Sequence, residues 1–228
     1  MSTLAMHASD GLLNAPTSLA TGAVAVLGVA VALVRARTDL DDRTAPLAGL
    51  VAAFVFAVQM LNFPVLPGVS GHLLGGALAA ILVGPWVGAL CVSVVLVVQA
   101  LLFADGGLTA LGVNIINMAL LGTAAGYLVA VALRSVATRS RAGLLGVAFV
   151  AAFVNTVVAS AGFVVEYALG GQGAVSLGGF AAALLGVHAL IGIGEGVLTA
   201  LTVGAVASVR PDLVYLLRDR TAAREVTS

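Results

Sequence analysis

The sequence contains no lysine. That excludes a Walker-type phosphate loop, whose Gly-x-x-x-x-Gly-Lys pattern needs the ammonium group, so any ATP hydrolysis tied to this chain comes from a partner. Charge of either sign is scarce. Charged residues make up 9% of the chain, against about 25% in soluble domains. Ten arginines balance ten acidic residues, which gives no reason to expect a nucleic-acid partner. Aromatic residues are 5% of the chain, few for a pocket that stacks on a planar organic ligand. The single cysteine, Cys91, sits inside an apolar stretch and reads as inert packing, silent about redox compartment. The first fifteen residues lack the basic region and apolar run of a cleavable signal peptide.

What is abundant is apolar. Hydrophobic residues are 61% of the sequence and the mean hydropathy is +1.16. Several stretches reach the roughly 20 residues that span a bilayer as helix. The expected fold is all-α: one polytopic membrane domain of about seven transmembrane helices, near 16–34, 46–63, 72–84, 86–103, 107–133, 142–168 and 177–209. An N-terminal segment (1–15) precedes this bundle (16–209) and a polar tail (210–228) follows it. Gly84-Pro85 marks a tight turn between the third and fourth spans. The 28 glycines fit helices packed through small residues. Gly75, Gly76, Ala77 and Ala80 in the third span suit close packing, inside the bundle before any use against a partner.

Arginine sets the orientation. Arg35, Arg37 and Arg43 follow span one; Arg134, Arg139 and Arg141 follow span five; Arg210, Arg218, Arg220 and Arg224 follow span seven. With seven spans all ten fall on one side, which the positive-inside rule makes cytoplasmic. The N-terminus is therefore expected outside and the C-terminus in the cytoplasm.

Between spans two and three lies Asn62-Phe-Pro-Val-Leu-Pro-Gly-Val-Ser-Gly-His72, rich in helix breakers. His72 is expected to open span three. On the same topology Gln59, Asn62, Gln99, Asn114 and Asn117 fall in the outer half of the membrane, as does His188 in the upper part of span seven. Polar groups facing lipid would be left without partners, so they are expected to face inward and to line a pocket open to the outside. The inner half offers little beyond Asn155 and Glu195. A lone amide in such a helix serves most often as interhelical glue, and Glu195, one heptad after His188, reads as a helix-to-helix hydrogen bond with the carboxyl protonated. His188, on a long regular helix, reads as a packing or supporting group more than a ligand. His72, beside a broken helix, is the histidine to read as functional.

His7 gains weight from its position. In a chain beginning at Met6, the free amine, the amide of His7 and its imidazole offer three nitrogens in a row. A second imidazole would complete a four-nitrogen plane, which suits Ni(II) or Cu(II). Asp10-Gly11 could anchor this segment by a turn.

Met6-His-Ala-Ser-Asp-Gly-Leu-Leu resembles the opening Met-His-x-x-Asp-Gly-Phe-Leu of the CbiM/NikM family, the substrate-capture subunits of energy-coupling-factor transporters for cobalt and nickel. Gln59-Met-Leu-Asn-Phe-Pro-Val, Ser70-Gly-His-Leu-Leu-Gly-Gly-Ala through Gly84-Pro-Trp86, Val98-Gln-Ala-Leu-Leu-Phe-Ala-Asp-Gly-Gly107, Leu111-Gly-Val-Asn-Ile-Ile-Asn-Met118 and Val187-His-Ala-Leu-Ile-Gly-Ile-Gly-Glu195 resemble it in the same order. The resemblance implies seven helices with an N-terminal segment plugging the bundle. It implies metal held by the amine of Met6, the amide and imidazole of His7, and the imidazole of His72. Asp10, Gln59, Asn62, Ser70, Gln99, Asn114, Asn117 and His188 are the candidates for the surrounding pocket and its support. The resemblance implies no resident cofactor, Co2+ or Ni2+ as the transported substrate, and as partners a transmembrane coupling subunit, two cytoplasmic ATPases and often a small accessory membrane subunit. One departure is that Met1 to Ala5 precede the matching methionine. A free amine at Met6 requires the chain to start there or those residues to be removed; a misassigned start is the expected explanation.

Three rivals use other residues. Gly68-Val-Ser70-Gly71 matches a motif of rhomboid intramembrane proteases, with His188 as the candidate base. A vitamin-capturing subunit would share the architecture but call for more aromatics. A self-sufficient metal carrier would need carboxylates along its path, and Glu195 alone qualifies.

Overall fold

The computed structural model describes residues 8–42, 44–66 and 69–218, and the chain is mostly helical. Five helices are long and apolar enough to cross a membrane: α1 (Ala15–Ala36), α4 (Pro85–Leu102), α5 (Leu111–Ala132), α6 (Arg141–Gly170) and α7 (Leu177–Val209). Two shorter helices lie between the first two of these, α2 (Thr44–Gln59) and α3 (Gly76–Val83). Each of the seven apolar stretches expected from sequence thus carries a helix, but the second, third and fifth are shorter than expected.

Their ends are set by local chemistry. Asn14, Ser140 and Ser176 each accept a main-chain N–H with their side chains, from Thr17, Gly143 and Gly179, and so start α1, α6 and α7. Gly84 takes φ +91° between α3 and α4, and Pro85 opens α4 with a ring already set for helix.

The packing follows membrane logic. Along α1 the buried residues are Ala25, Ala32 and Ala36, while Leu19, Val26, Leu27 and Val34 are exposed. Small side chains let helices approach, and large apolar ones face the hydrocarbon. The helix α3 lies at the centre, with every residue buried. Gly76 sits where a Cβ would press on Thr123 Oγ1 and Asn155 Oδ1, and Ala77 and Ala80 have no exposed surface. These small residues serve internal packing and are not available to a partner. Cys91 is buried with its thiol 3.4 Å from the Ala48 carbonyl, a packing role as expected.

The Asn62–His72 stretch is a correction. It is not an open loop but an antiparallel ribbon of β1 (Asn62–Leu66) and β2 (Val69–His72), with Asn62 opposite His72 and an irregularity between Pro64 and Leu66. A two-stranded ribbon has two edges, so a strand can hold a proline where no N–H is required. His72 therefore ends a strand and does not open a helix; α3 starts four residues later.

The arginine-bearing segments meet at one end. Arg134, just after α5, donates from Nε to the Leu216 carbonyl at 3.0 Å, and Arg218 donates to Thr44 Oγ1, at the start of α2, at 3.0 Å. The N-terminal segment lies at the other end, against the α4–α5 and α6–α7 connections. Asn14 N donates to Gly170 O at 2.7 Å, Gln172 N to Leu12 O at 2.9 Å, and Gly107 N to Ala8 O at 3.0 Å.

Candidate metal site

At that end the N-terminal segment, β2, α5, α6 and α7 enclose a cavity of about 20 Å³. Ala8 and Leu12 line it from the segment, Ser70 and His72 from β2, and His188 from α7. A buried water needs roughly 10–15 Å³, so the space accepts one atom-sized guest. Organic ligands occupy roughly 300–1,000 Å³, and neither a vitamin nor a peptide segment fits. Larger cavities exist, about 320 Å³ between Arg139, Arg141 and Pro211 and about 770 Å³ along the α1–α4–α5 surface, but no histidine lines either.

The two imidazoles are oriented alike. His72 Nδ1 lies 2.8 Å from the Leu73 carbonyl and His188 Nδ1 lies 2.8 Å from the Leu184 carbonyl. A carbonyl can only accept, so each Nδ1 carries the proton and the lone pair resides on Nε2. Metal-bound histidines typically donate their other ring nitrogen to a carbonyl in this way. His72 and His188 are 3% and 6% exposed. Gly71 brings β2 against α7: a Cβ there would lie 3.2 Å from His188 Nε2 and 2.6 Å from Ile191 Cδ1.

The segment is fastened by residues flagged in the sequence. Asn114 accepts from Ala8 N with Oδ1 at 3.3 Å and donates from Nδ2 to Ala8 O at 3.4 Å. Asp10 Oδ1 accepts from Thr109 N at 2.8 Å and from Thr109 Oγ1 at 2.6 Å. Those bonds hold the Asp10 carboxyl below the usual carboxylate range, against a smaller opposing effect of burial. At Gly107 a Cβ would collide with Asp10 N, so only glycine lets the segment lie this close.

The other expected residues sit farther out. Gln59 donates from Nε2 to Leu74 O at 2.8 Å, supporting the stretch after His72. Asn62 shares a face of the ribbon with His72. Asn117, on the π-helical turn Ile115–Gly122 within α5, donates to Glu166 of α6 and does not line the cavity. Gln99 is fully buried on α4, away from the cavity lining. Met6 and His7 lie outside the described residues, and among the described residues no three His, Cys, Asp or Glu side chains cluster as a metal site.

Glu195, expected to tie helix to helix, does so through Asn155 and Thr156 of α6. Sequence reasoning missed that it also accepts from Leu74 N and Gly75 N, each at 2.8 Å. Glu166 was not singled out; its spacing from Asn117 across two helices carries no sequence signal. Tyr167 and Phe180 stack at 4.0 Å between ring centres, and Phe180 forms part of the cavity wall.

A bundle of apolar helices with small residues inward defines a multi-pass membrane protein, and it encloses an ion-sized space faced by His72 and His188. A family model described as "CbiM: Cobalt uptake substrate-specific transmembrane region" matches residues 7–213, and the chain belongs to that family of cobalt and nickel transport membrane proteins. It is 36% identical over 220 residues to the cobalt transport protein CbiM of Sorangium cellulosum, covering 93% of this chain and 96% of that one. A protein of Archaeoglobus fulgidus, provisionally named a fused nickel transport protein NikMN, is 38% identical over 211 residues, 92% of this chain and 68% of that one. A crystal structure of a transition metal transporter matches with a TM-score of 0.81 and 28% identity, over 94% of this chain and 97% of that one. The family and its structural neighbours are metal transporters and not enzymes, which sets aside the protease reading of Ser70 and His188.

Proposed function

We propose that the chain is the metal-capturing subunit of an energy-coupling-factor importer for Co2+ or Ni2+. The metal is bound in the cavity faced by Ala8, His72 and His188. Its ligands are the amine of Met6, the amide and imidazole of His7, and His72 Nε2, while His188 supports the site. The observation that carries this reading is that Ala8 and His72 line one atom-sized space. Adjacent Cα atoms are about 3.8 Å apart, so His7 is bonded to a residue already at the cavity wall. Four nitrogens in a plane suit Ni(II) and accommodate Co(II).

The seven apolar segments cross the membrane with the cavity outside and the arginine end in the cytoplasm. This orientation is supported by the positive-inside rule and by the contacts that join Arg134 and Arg218 to the ends of neighbouring segments. The N-terminal segment closes over the captured ion. Release into the cell uses a transmembrane coupling subunit and two cytoplasmic ATPases, with a small accessory membrane subunit, because this chain has no lysine for a phosphate loop. Nickel and cobalt titrations of the purified protein beginning at Met6 test the reading: tight binding of either metal is expected, and no binding of both contradicts it.

A further inference from the structure

Glu195 is the most heavily bonded side chain near the cavity, yet it does not line it. It sits on α7 with 1% exposure. Oε2 accepts from Leu74 N and Thr156 Oγ1, each at 2.8 Å; Oε1 accepts from Gly75 N at 2.8 Å and Asn155 Nδ2 at 3.2 Å. Both main-chain donors belong to the three residues between His72 and the start of α3.

Those residues have a conformational choice. The first N–H groups before a helix have no partner inside it, and no water is available at membrane depth to take them. Extending the helix backward would only hand the deficit to the N–H groups of the added residues, and extending α3 through Leu73–Gly75 would swing His72 away, since each residue turns a helix by about 100°. The structure meets the deficit with a side chain. Gly75 adopts φ +78°, which breaks the helix, and the Glu195 carboxyl oxygens accept the two N–H groups that this leaves over. Gln59 holds the Leu74 carbonyl at 2.8 Å, so both polar atoms of Leu74 are fixed. Seven residues earlier on the same helix, His188 lies against Gly71. The helix α7 therefore grips the chain on both sides of His72.

We propose that Glu195 is a positioning residue for the metal site: its carboxyl oxygens, by holding Leu74 N and Gly75 N, set the direction of the His72 imidazole. The inference rests on the reading that His72 ligates the metal. A glutamine at this position has one acceptor oxygen for two main-chain donors and turns an N–H2 group toward one of them, so it cannot substitute.

The test uses the protein beginning at Met6, in nanodiscs, with Ni2+ alone as probe. Three quantities are read: nickel affinity by titration calorimetry, the nickel ligand-field absorption, and amide exchange at Leu74 and Gly75. Glu195→Gln is expected to weaken nickel binding about 10–100-fold, to shift the absorption, and to speed exchange at those two amides. A purely structural carboxylate would lower the melting temperature and leave affinity and absorption unchanged, and that result overturns the proposal. His72→Ala separates the two readings. It is expected to lose nickel binding while the Leu74 and Gly75 amides stay protected; wild-type affinity in His72→Ala contradicts the ligand assignment, whatever Glu195→Gln does to the amides. If Glu195→Gln is not recovered folded, Asn155→Ala combined with Thr156→Val decides. It removes both side-chain donors that aim the carboxylate, and unchanged nickel affinity and absorption in it overturn the proposal.

Discussion

Asn114 holds Ala8 at both of its main-chain polar atoms, accepting from its N–H at 3.3 Å and donating to its carbonyl at 3.4 Å. The two residues are 106 positions apart, and the pairing fastens the N-terminal segment over the cavity that His72 and His188 share. Asn114→Ala removes both bonds and leaves the buried Ala8 groups without a side-chain partner. The expected outcome is metal binding weakened by about 10–100-fold, the range for groups that orient ligands, with little change in helix content. Calorimetry and circular dichroism check the two halves of this expectation.

Gly107 makes the same point sterically. A Cβ there would collide with Asp10 N. Gly107→Val is expected to displace the segment and to weaken metal binding at least as much as Asn114→Ala does. Faster amide exchange at residues 8–12 reports the displacement directly; wild-type exchange and wild-type affinity together would count against the plug.

The pH dependence has two separable parts. Thr109 holds the Asp10 carboxyl below its ordinary value of 3.8. A depressed folded-state pKa contributes stability that is fully present above the unfolded value and is lost as pH falls through the lower folded value. Asp10 therefore stays engaged down to about pH 4. Metal affinity is expected to fall earlier, between pH 7 and pH 5, because free imidazoles titrate near about 6.5 and protons compete for the donor nitrogens. Asp10→Asn is expected to bind more weakly overall but to show the same slope between pH 7 and pH 5. A slope that vanishes in Asp10→Asn would assign the proton competition to the carboxyl instead.

His188 is expected to matter less than His7. Its Nδ1 is tied to the carbonyl one helical turn back and its ring abuts Gly71. His188→Gln should keep measurable nickel and cobalt binding, and His7→Gln should lose it. The reverse pattern in titrations of the form starting at Met6 would make the N-terminal segment a lid only.

Much of this was legible in the sequence, and the reasons are physical. Apolar stretches must be helical in a bilayer because the backbone has no water to bond, so the positions of the helices could be read from hydropathy alone. The segregation of arginines anticipated the end where Arg134 and Arg218 bridge neighbouring segments. His72 stood out because an imidazole beside a broken helix in a membrane-type sequence is costly without a partner. The ribbon was not legible, because prolines argue against strands and only the pairing of Pro64 with Ser70 and of Asn62 with His72 shows that a strand forms around Pro64. The role of Glu195 was hidden for another reason. Its partners are main-chain atoms 120 and 121 residues away, exposed by the left-handed turn at Gly75, and no spacing rule connects them. Asn117 and Gln99 were placed with the pocket on depth alone. Depth does not fix which way a side chain points: Asn117 faces Glu166, and Gln99 is buried outside the cavity lining.

The central claim is that His72 and the N-terminal nitrogens together bind the metal. X-ray absorption of the nickel-loaded protein beginning at Met6, compared with His7→Gln and His72→Ala exposed to the same nickel concentration, tests it most directly. The account predicts a nitrogen-only, four-coordinate site with two imidazoles in the wild type, and loss of that site in either variant. A wild-type spectrum with oxygen or sulfur ligands, or an unchanged spectrum in His72→Ala, would contradict it.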